Sequence, residues 1–182
     1  MSHPQQREFL QSVKNNFSGY FNGKKVLEVG SLNINGSARD FFSNCDYVGI
    51  DVGPGNGVDI VCQGQDFDAP NETFDTIISC ECFEHNPEWV ATFTNIHRMC
   101  KTDGLIIMTC ATGARLEHGT SRSDPDASPL TRNIGWEYYR NLSEKDFREH
   151  FDIESMFKKF QFSLGWFSGT EPMDLYFYGI KA

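Results

Sequence analysis

Apolar and polar positions in this chain change rhythm from block to block, and each rhythm names an element. Phe9, Val13 and Phe17 recur at i, i+4 and i+8, which predicts an amphipathic helix at the start. "KKVLEVG" then reads as a buried strand and "GSARDFFSN" as the start of a helix. "YVGIDV" predicts a second strand, "GPGNG" a turn, and "VDIV" a third strand. "FDTIISC" is apolar through its centre, the mark of a strand covered on both faces. A helix is predicted from Pro87, with Trp89, Phe93, Ile96 and Cys100 on one stripe, and "DGLIIMTCA" as a fifth strand.

Residues 111 to 142 lose this order. They are polar, carry Gly, Asp-Pro and Ser-Pro signals, and have no period. A loop of that length in a compact domain is usually functional or disordered. A helix follows from Ser143, with Ser143 as N-cap and Asp146 at the third helical position. A strand near 153–162 and a last one in "MDLYFYGIKA" are expected to close the sheet as a hairpin-like pair. Strand and helix in alternation predict an α/β fold with a mostly parallel sheet of seven strands and an antiparallel last strand. The connections at 52–58 and 64–73 are too short for full helices, so the helical layers should be reduced.

The chain has 182 residues, of which 39% are hydrophobic and 14% aromatic, with 16 Phe. One packed domain over 1–182 is expected, and disorder is not. The net charge of −9 comes without a basic stripe, which argues against a nucleic-acid partner and suits a neutral or cationic small ligand. No apolar run approaches the ~20 residues of a membrane helix, and "MSHPQQREFLQS" lacks the layout of a signal peptide. The expectation is a cytoplasmic protein with no membrane partner; the oligomeric state is not legible. The six cysteines show no C-x-x-C pair and read as reduced, mostly buried thiols. "CECFEH" brings Cys80, Cys82 and His85 together, but no fourth ligand stands at a zinc-like spacing, so no metal is expected.

In open α/β sheets ligands lie beyond the carboxyl ends of the strands. There the chain has Glu28 with Gly30, Ser31 and Gly36, then Asp51 and Val52, then Asp66 and Phe67, then Cys80 and Glu81 through His85. Asp51 follows Gly30 at about the separation at which an acid grips a ribose hydroxyl pair. Gly30 and Gly36 do not make a dinucleotide fingerprint, and a carboxylate at Glu28 would oppose a pyrophosphate. It favours an ammonium or sulfonium, and S-adenosylmethionine has both and no phosphate. Asp66 could accept from its adenine amino group while Phe67 covers the ring. Each residue also has a plainer reading. Glu28 could cap a helix or neutralise Lys24 or Lys25, Asp51 could form a turn, and Asp66 could be a solvated loop acid. The signal lies in acids at three successive strand ends.

"VLEVGSLNINGSARDFF", "YVGIDVGPGNGVDIV", "FDTIISCECFEHNPEW" and "RMCKTDGLIIMTCA" resemble, in order, the motifs of class I S-adenosylmethionine-dependent methyltransferases. The nearest likeness is to small-molecule and glycan-type members with an E-x-G-S…N-G-S first loop and a Glu-His end to the fourth motif. It covers about residues 24 to 150. The resemblance implies a Rossmann-like three-layer sandwich, S-adenosylmethionine as cofactor and S-adenosylhomocysteine as product. It also implies cofactor contacts at Glu28, Gly30, Asp51, Asp66, Cys80 and Glu81. Two departures stand out: Leu32 and Ile34 replace family glycines, and "DGL" replaces a Pro-Gly-Gly turn.

Methyl transfer is an in-line displacement, so alignment supplies most of the acceleration. A hydroxyl or amine acceptor would also need a base, for which His85 is the first candidate and His118 the second. The plainer reading of His85 is a structural hydrogen bond, and of His118 a solvated loop residue. The 111–142 segment should form the acceptor side of the pocket, with Arg115, Arg132, Trp136 and Tyr139 as substrate contacts. Its arginines, Arg122 and Arg140 included, hint at an anionic or sugar-like small molecule. Ordinary loop solvation and core packing are the alternative. Two other functions compete: a non-catalytic cofactor-binding regulatory module, and a nucleotide-dependent oxidoreductase on the same fold.

Overall fold

The computed structural model describes residues 2–166 and 173–182. Seven strands form one sheet: β1 (Lys25–Val29), β2 (Asp46–Asp51), β3 (Ile60–Val61), β4 (Phe74–Cys80), β5 (Cys100–Ala111), β6 (Phe157–Gly165) and β7 (Asp174–Lys181). Their spatial order is β3-β2-β1-β4-β5-β7-β6. The first five strands pair in parallel, and β7 runs antiparallel to both β5 and β6. The predicted antiparallel last strand is therefore β7, inserted between β5 and the edge strand β6. The order reverses between β1 and β4, which makes the carboxyl ends of these two strands the switch point of the sheet.

Period-2 alternation sends the two sides of each central strand into different cores. Val26, Ile78, Leu105 and Ile107 pack beneath helix α1 (Pro4–Asn16) with its buried Leu10 and Val13. Leu27, Ile77, Ile106 and Met108 face helix α2 (Trp89–Met99), where Phe93 is fully buried among Phe83, Phe147, Phe151, Phe157 and Phe177. Helix α4 (Glu144–His150) closes this second layer through Phe147, and Ser143 with Asp146 forms the expected capping box.

Several expected elements differ. "GSARDFFSN" makes only a 3-10 turn at Ala38–Phe41, because Phe42 turns inward to stack on Phe21 and β2 begins at Asp46. The strand expected from 153 opens with a helical turn, α5 (Ile153–Met156), capped by Asp152. Within 111–142 the chain forms a short helix, α3 (Pro129–Asn133), preceded by a 3-10 turn at Pro125–Ala127. No helix among the described residues is long and apolar enough to cross a membrane.

Candidate functional site

A cleft opens at the carboxyl ends of β1 and β4. Gly30 ends β1 at φ +80, and its amide and that of Ser31 both donate to the Ile50 carbonyl, so the loop folds over β2. A side chain at Gly30 would come within 2.6 Å of the Cys82 Cβ, which is why glycine stands where the two strand ends meet. Asp51 at the end of β2 accepts from the amides of Leu32 and Val52 at 2.9 and 2.8 Å. Leu32 then lies against Gly55, Asn33 donates its amide to the Asn56 carbonyl, and Asn35 exchanges hydrogen bonds with Ser2. Leu32 thus holds the loop against Gly55, while Asn33 and Asn35 tie it to Asn56 and Ser2.

The floor is acidic. Glu28 is 4% exposed and takes one hydrogen bond from the Tyr47 hydroxyl at 2.9 Å. Burial pushes its carboxyl up to about 7, against the pull of that bond and of Arg39. Asp51 is also raised, again by burial, although two amides hold it down. Glu81, at φ +51 just past β4, accepts from Thr109, whose hydroxyl oxygen in turn accepts from Gln6. Glu28, Asp51 and Glu81 all line the cleft, and among the described residues no Lys or Arg does. The buried Ser31 hydroxyl has no hydrogen-bond partner.

A small side chamber continues from Gly30, Asp51 and Cys82 to Val52, Cys62, Gly64 and Trp136. On the other flank, Ala127, Ser128, Pro129, Leu130 and Thr131 wall the cleft opposite β1, and His85 borders it. His85 is 4% exposed; burial, with His118 next to it, pushes its ring down to about 3. The His85, His118 and Tyr139 rings pack together with centroids 4.8–5.6 Å apart. Beneath them Glu84 is wholly buried and both its carboxylate oxygens lack hydrogen-bond partners. Burial, reinforced by Glu81, holds that carboxyl well above the usual range.

Eight of the ten expected cofactor residues therefore gather here: Glu28, Gly30, Ser31, Gly36, Asp51, Cys80 and Glu81 on the cleft, and Val52 on its chamber. Asp66 and Phe67 do not. The Asn95 side chain of α2 binds the carbonyls of Gly64 and Phe67, which swings Phe67 onto Phe74 and leaves Asp66 in solvent. Trp136, expected against the acceptor, lines the side chamber beside Asp51, Val52 and Thr131. Arg115 pairs at 3.1 Å with the wholly buried Asp174, and Arg132 donates to the Pro125 carbonyl. Arg122 pairs with Glu117 and Arg140 with Asp146, so the arginines are held within the chain, away from the cleft lining. Tyr139 bonds Asn141 and packs behind His85. The 127–131 wall belongs to the segment expected on the acceptor side, and Cys82 to the stretch expected after β4, whereas Ser2 and Gln6 were not anticipated; a polar Gln6 on the buried face of an amphipathic helix was the available signal.

A methyltransferase-domain family model matches residues 1–164. The chain belongs to this family. No protein of curated function matches the methyltransferase chain by sequence. Solved structures share its fold at low identity. Phosphoethanolamine N-methyltransferase 2 of Haemonchus contortus, in complex with S-adenosyl-L-methionine, superposes with a TM-score of 0.65 at 13% identity over 96% of this chain. The chain spans about half of that protein, 52% of its length. The YcgJ protein of Bacillus subtilis gives a TM-score of 0.63 at 12% identity, covering 96% of this chain and 98% of its own. The N-methyltransferase NodS of Bradyrhizobium japonicum gives 0.57 at 15% identity, covering 99% and 98%.

Proposed function

We propose that this methyltransferase-family chain binds S-adenosylmethionine in the cleft and transfers its methyl group to a small, polar, sugar-like or amine-bearing acceptor. The observation that carries the reading is the charge of the lining: among the described residues it has three carboxylates and no Lys or Arg. Such a floor repels the pyrophosphate of a dinucleotide and attracts an ammonium and a sulfonium. The orphaned Ser31 hydroxyl fits the same ligand, since it needs a polar group to complete it. Glu28 is suited to the ammonium, Asp51 to the ribose hydroxyls, and Trp136 to the flat face of the adenine.

S-adenosylmethionine supplies the electrophilic methyl group; this chain's residues bind, align and exclude water. The 127–131 wall and His85 bound the acceptor side. Burial keeps the His85 ring uncharged, so it borders the acceptor side without adding a cation to the cleft. The intramolecular pairing of the arginines removes the support for an anionic acceptor and leaves hydroxyl and amine groups favoured. The Haemonchus enzyme has been crystallised with phosphomonomethylethanolamine, an amine-bearing ligand that also carries a phosphate, and S-adenosylhomocysteine.

The test is thermal stabilisation. S-adenosylhomocysteine at one hundred times its dissociation constant should stabilise the chain by ~2.7 kcal/mol, and NAD should not. Stabilisation by NAD alone, or by neither, would overturn the reading.

A further inference from the structure

Glu84 and His85 leave the end of β4 in a 3-10 turn, while His118 comes from the 112–141 segment. One ligand-capable atom from each lies within 4.8 Å of the others. We infer that Glu84, His85 and His118 form a site for a divalent transition-metal ion that pins the 112–141 segment to the end of β4.

Three observations carry this. Glu84 is 0% exposed, yet neither of its oxygens meets a donor, and a buried carboxylate with no partner is expensive unless a proton or a cation satisfies it. His85 is 4% exposed and its Nδ1 is equally orphaned. His118 pairs its Nδ1 with the Leu116 carbonyl at 3.0 Å; donation there leaves Nε2 with a free lone pair, the outer-shell arrangement that metal-bound histidines use. Glu81 adds negative charge beside Glu84, and Arg115, which lies near the two histidines, is paired with Asp174 at 3.1 Å.

Two imidazoles and one carboxylate suit Mn²⁺, Fe²⁺, Co²⁺ or Zn²⁺, whereas Mg²⁺ and Ca²⁺ prefer all-oxygen sites. Bonds of about 2.1 Å set ligand atoms about 3.4 Å apart in a tetrahedral site, so atoms within 4.8 Å of one another need close by at most about 1.4 Å. The cysteines of "CECFEH" are not part of the set: the atoms that lie within 4.8 Å of one another belong to Glu84, His85 and His118. His118, 33 positions beyond His85, supplies what the local spacing lacked.

The chelator-stripped chain is titrated calorimetrically with Mn²⁺, Co²⁺ and Zn²⁺ in separate runs, beside Glu84→Gln, His118→Ala and Cys82→Ser, each checked for folding by circular dichroism. The expected result is one equivalent bound, with affinity about 10–100-fold weaker or lost in Glu84→Gln and His118→Ala and unchanged in Cys82→Ser. Metal should also slow amide exchange in the 112–123 backbone of the wild type and not of Glu84→Gln. No binding of any of the three ions, or binding that follows Cys82 instead of Glu84 and His118, would overturn the site. These readouts need no methyl transfer and no cofactor, so they stand apart from the methyltransferase reading.

Discussion

Glu28 offers the sharpest test of how the cleft recognises its cofactor. Its carboxyl is raised from 4.5 to about 7, chiefly by burial. Asp51 and Asp40 add to the rise, whereas the Tyr47 hydroxyl and Arg39 oppose it. The difference, 7 − 4.5, corresponds to about 3 kcal/mol between folded and unfolded chains. Because the folded value is the higher one, the contribution is fully present below 4.5 and is lost as pH rises through 7. Stability of the ligand-free chain should therefore fall across that window. A cofactor ammonium beside Glu28 selects the ionised form, so binding below pH 7 must release a proton. Affinity for S-adenosylhomocysteine should weaken about tenfold per pH unit below 7, to a limit of about 300-fold, and level off above it. Calorimetry from about pH 5.5 to about pH 8, in two buffers of different ionisation heat, reads both the affinity and the proton. Glu28→Gln should flatten the profile, weaken binding at pH 8, and stabilise the ligand-free chain there by up to about 3 kcal/mol. A pH-independent wild-type affinity would refute the reasoning, as would a slope that survives in Glu28→Gln.

Three further changes probe the frame around that carboxylate. Asp51→Ala removes the acceptor of the Leu32 and Val52 amides and should abolish thermal stabilisation by S-adenosylhomocysteine; unchanged affinity would dissociate Asp51 from the ligand. Gly30→Ala places a Cβ 2.6 Å from Cys82 at φ +80, so urea melts should show a loss of about 1–3 kcal/mol and calorimetry an affinity at least about tenfold weaker. A substitution tolerated at both readouts would mean that the β1 and β4 ends are not held that closely. Phe93→Ala empties the centre of the aromatic core behind β4 and should lower stability by about 3–5 kcal/mol; a loss below about 1 kcal/mol would show that the cluster collapses without strain.

Residues whose place is set by the sheet alone were legible. A parallel strand has one carboxyl end, and apolar periodicity fixes where each strand stops, so Glu28, Gly30, Asp51, Cys80 and Glu81 fall on the cleft from local pattern only. The same logic located the aromatic stripe of α2 and the capping box of α4, because both depend on neighbours within a turn or two. The path of Asp66 and Phe67 after β3 was not legible, since it is set by Asn95, 28 residues from Phe67. Trp136 reached the side chamber, and Arg115 a buried partner in Asp174, by folds of the 112–141 segment that carry no period. The Glu84, His85 and His118 cluster belongs to the same class. Sequence by itself determined which side chains stand at the strand ends, because that is a matter of local spacing. Only the tertiary structure decided which distant groups meet them, because a long aperiodic segment is positioned by the long-range contacts that close it.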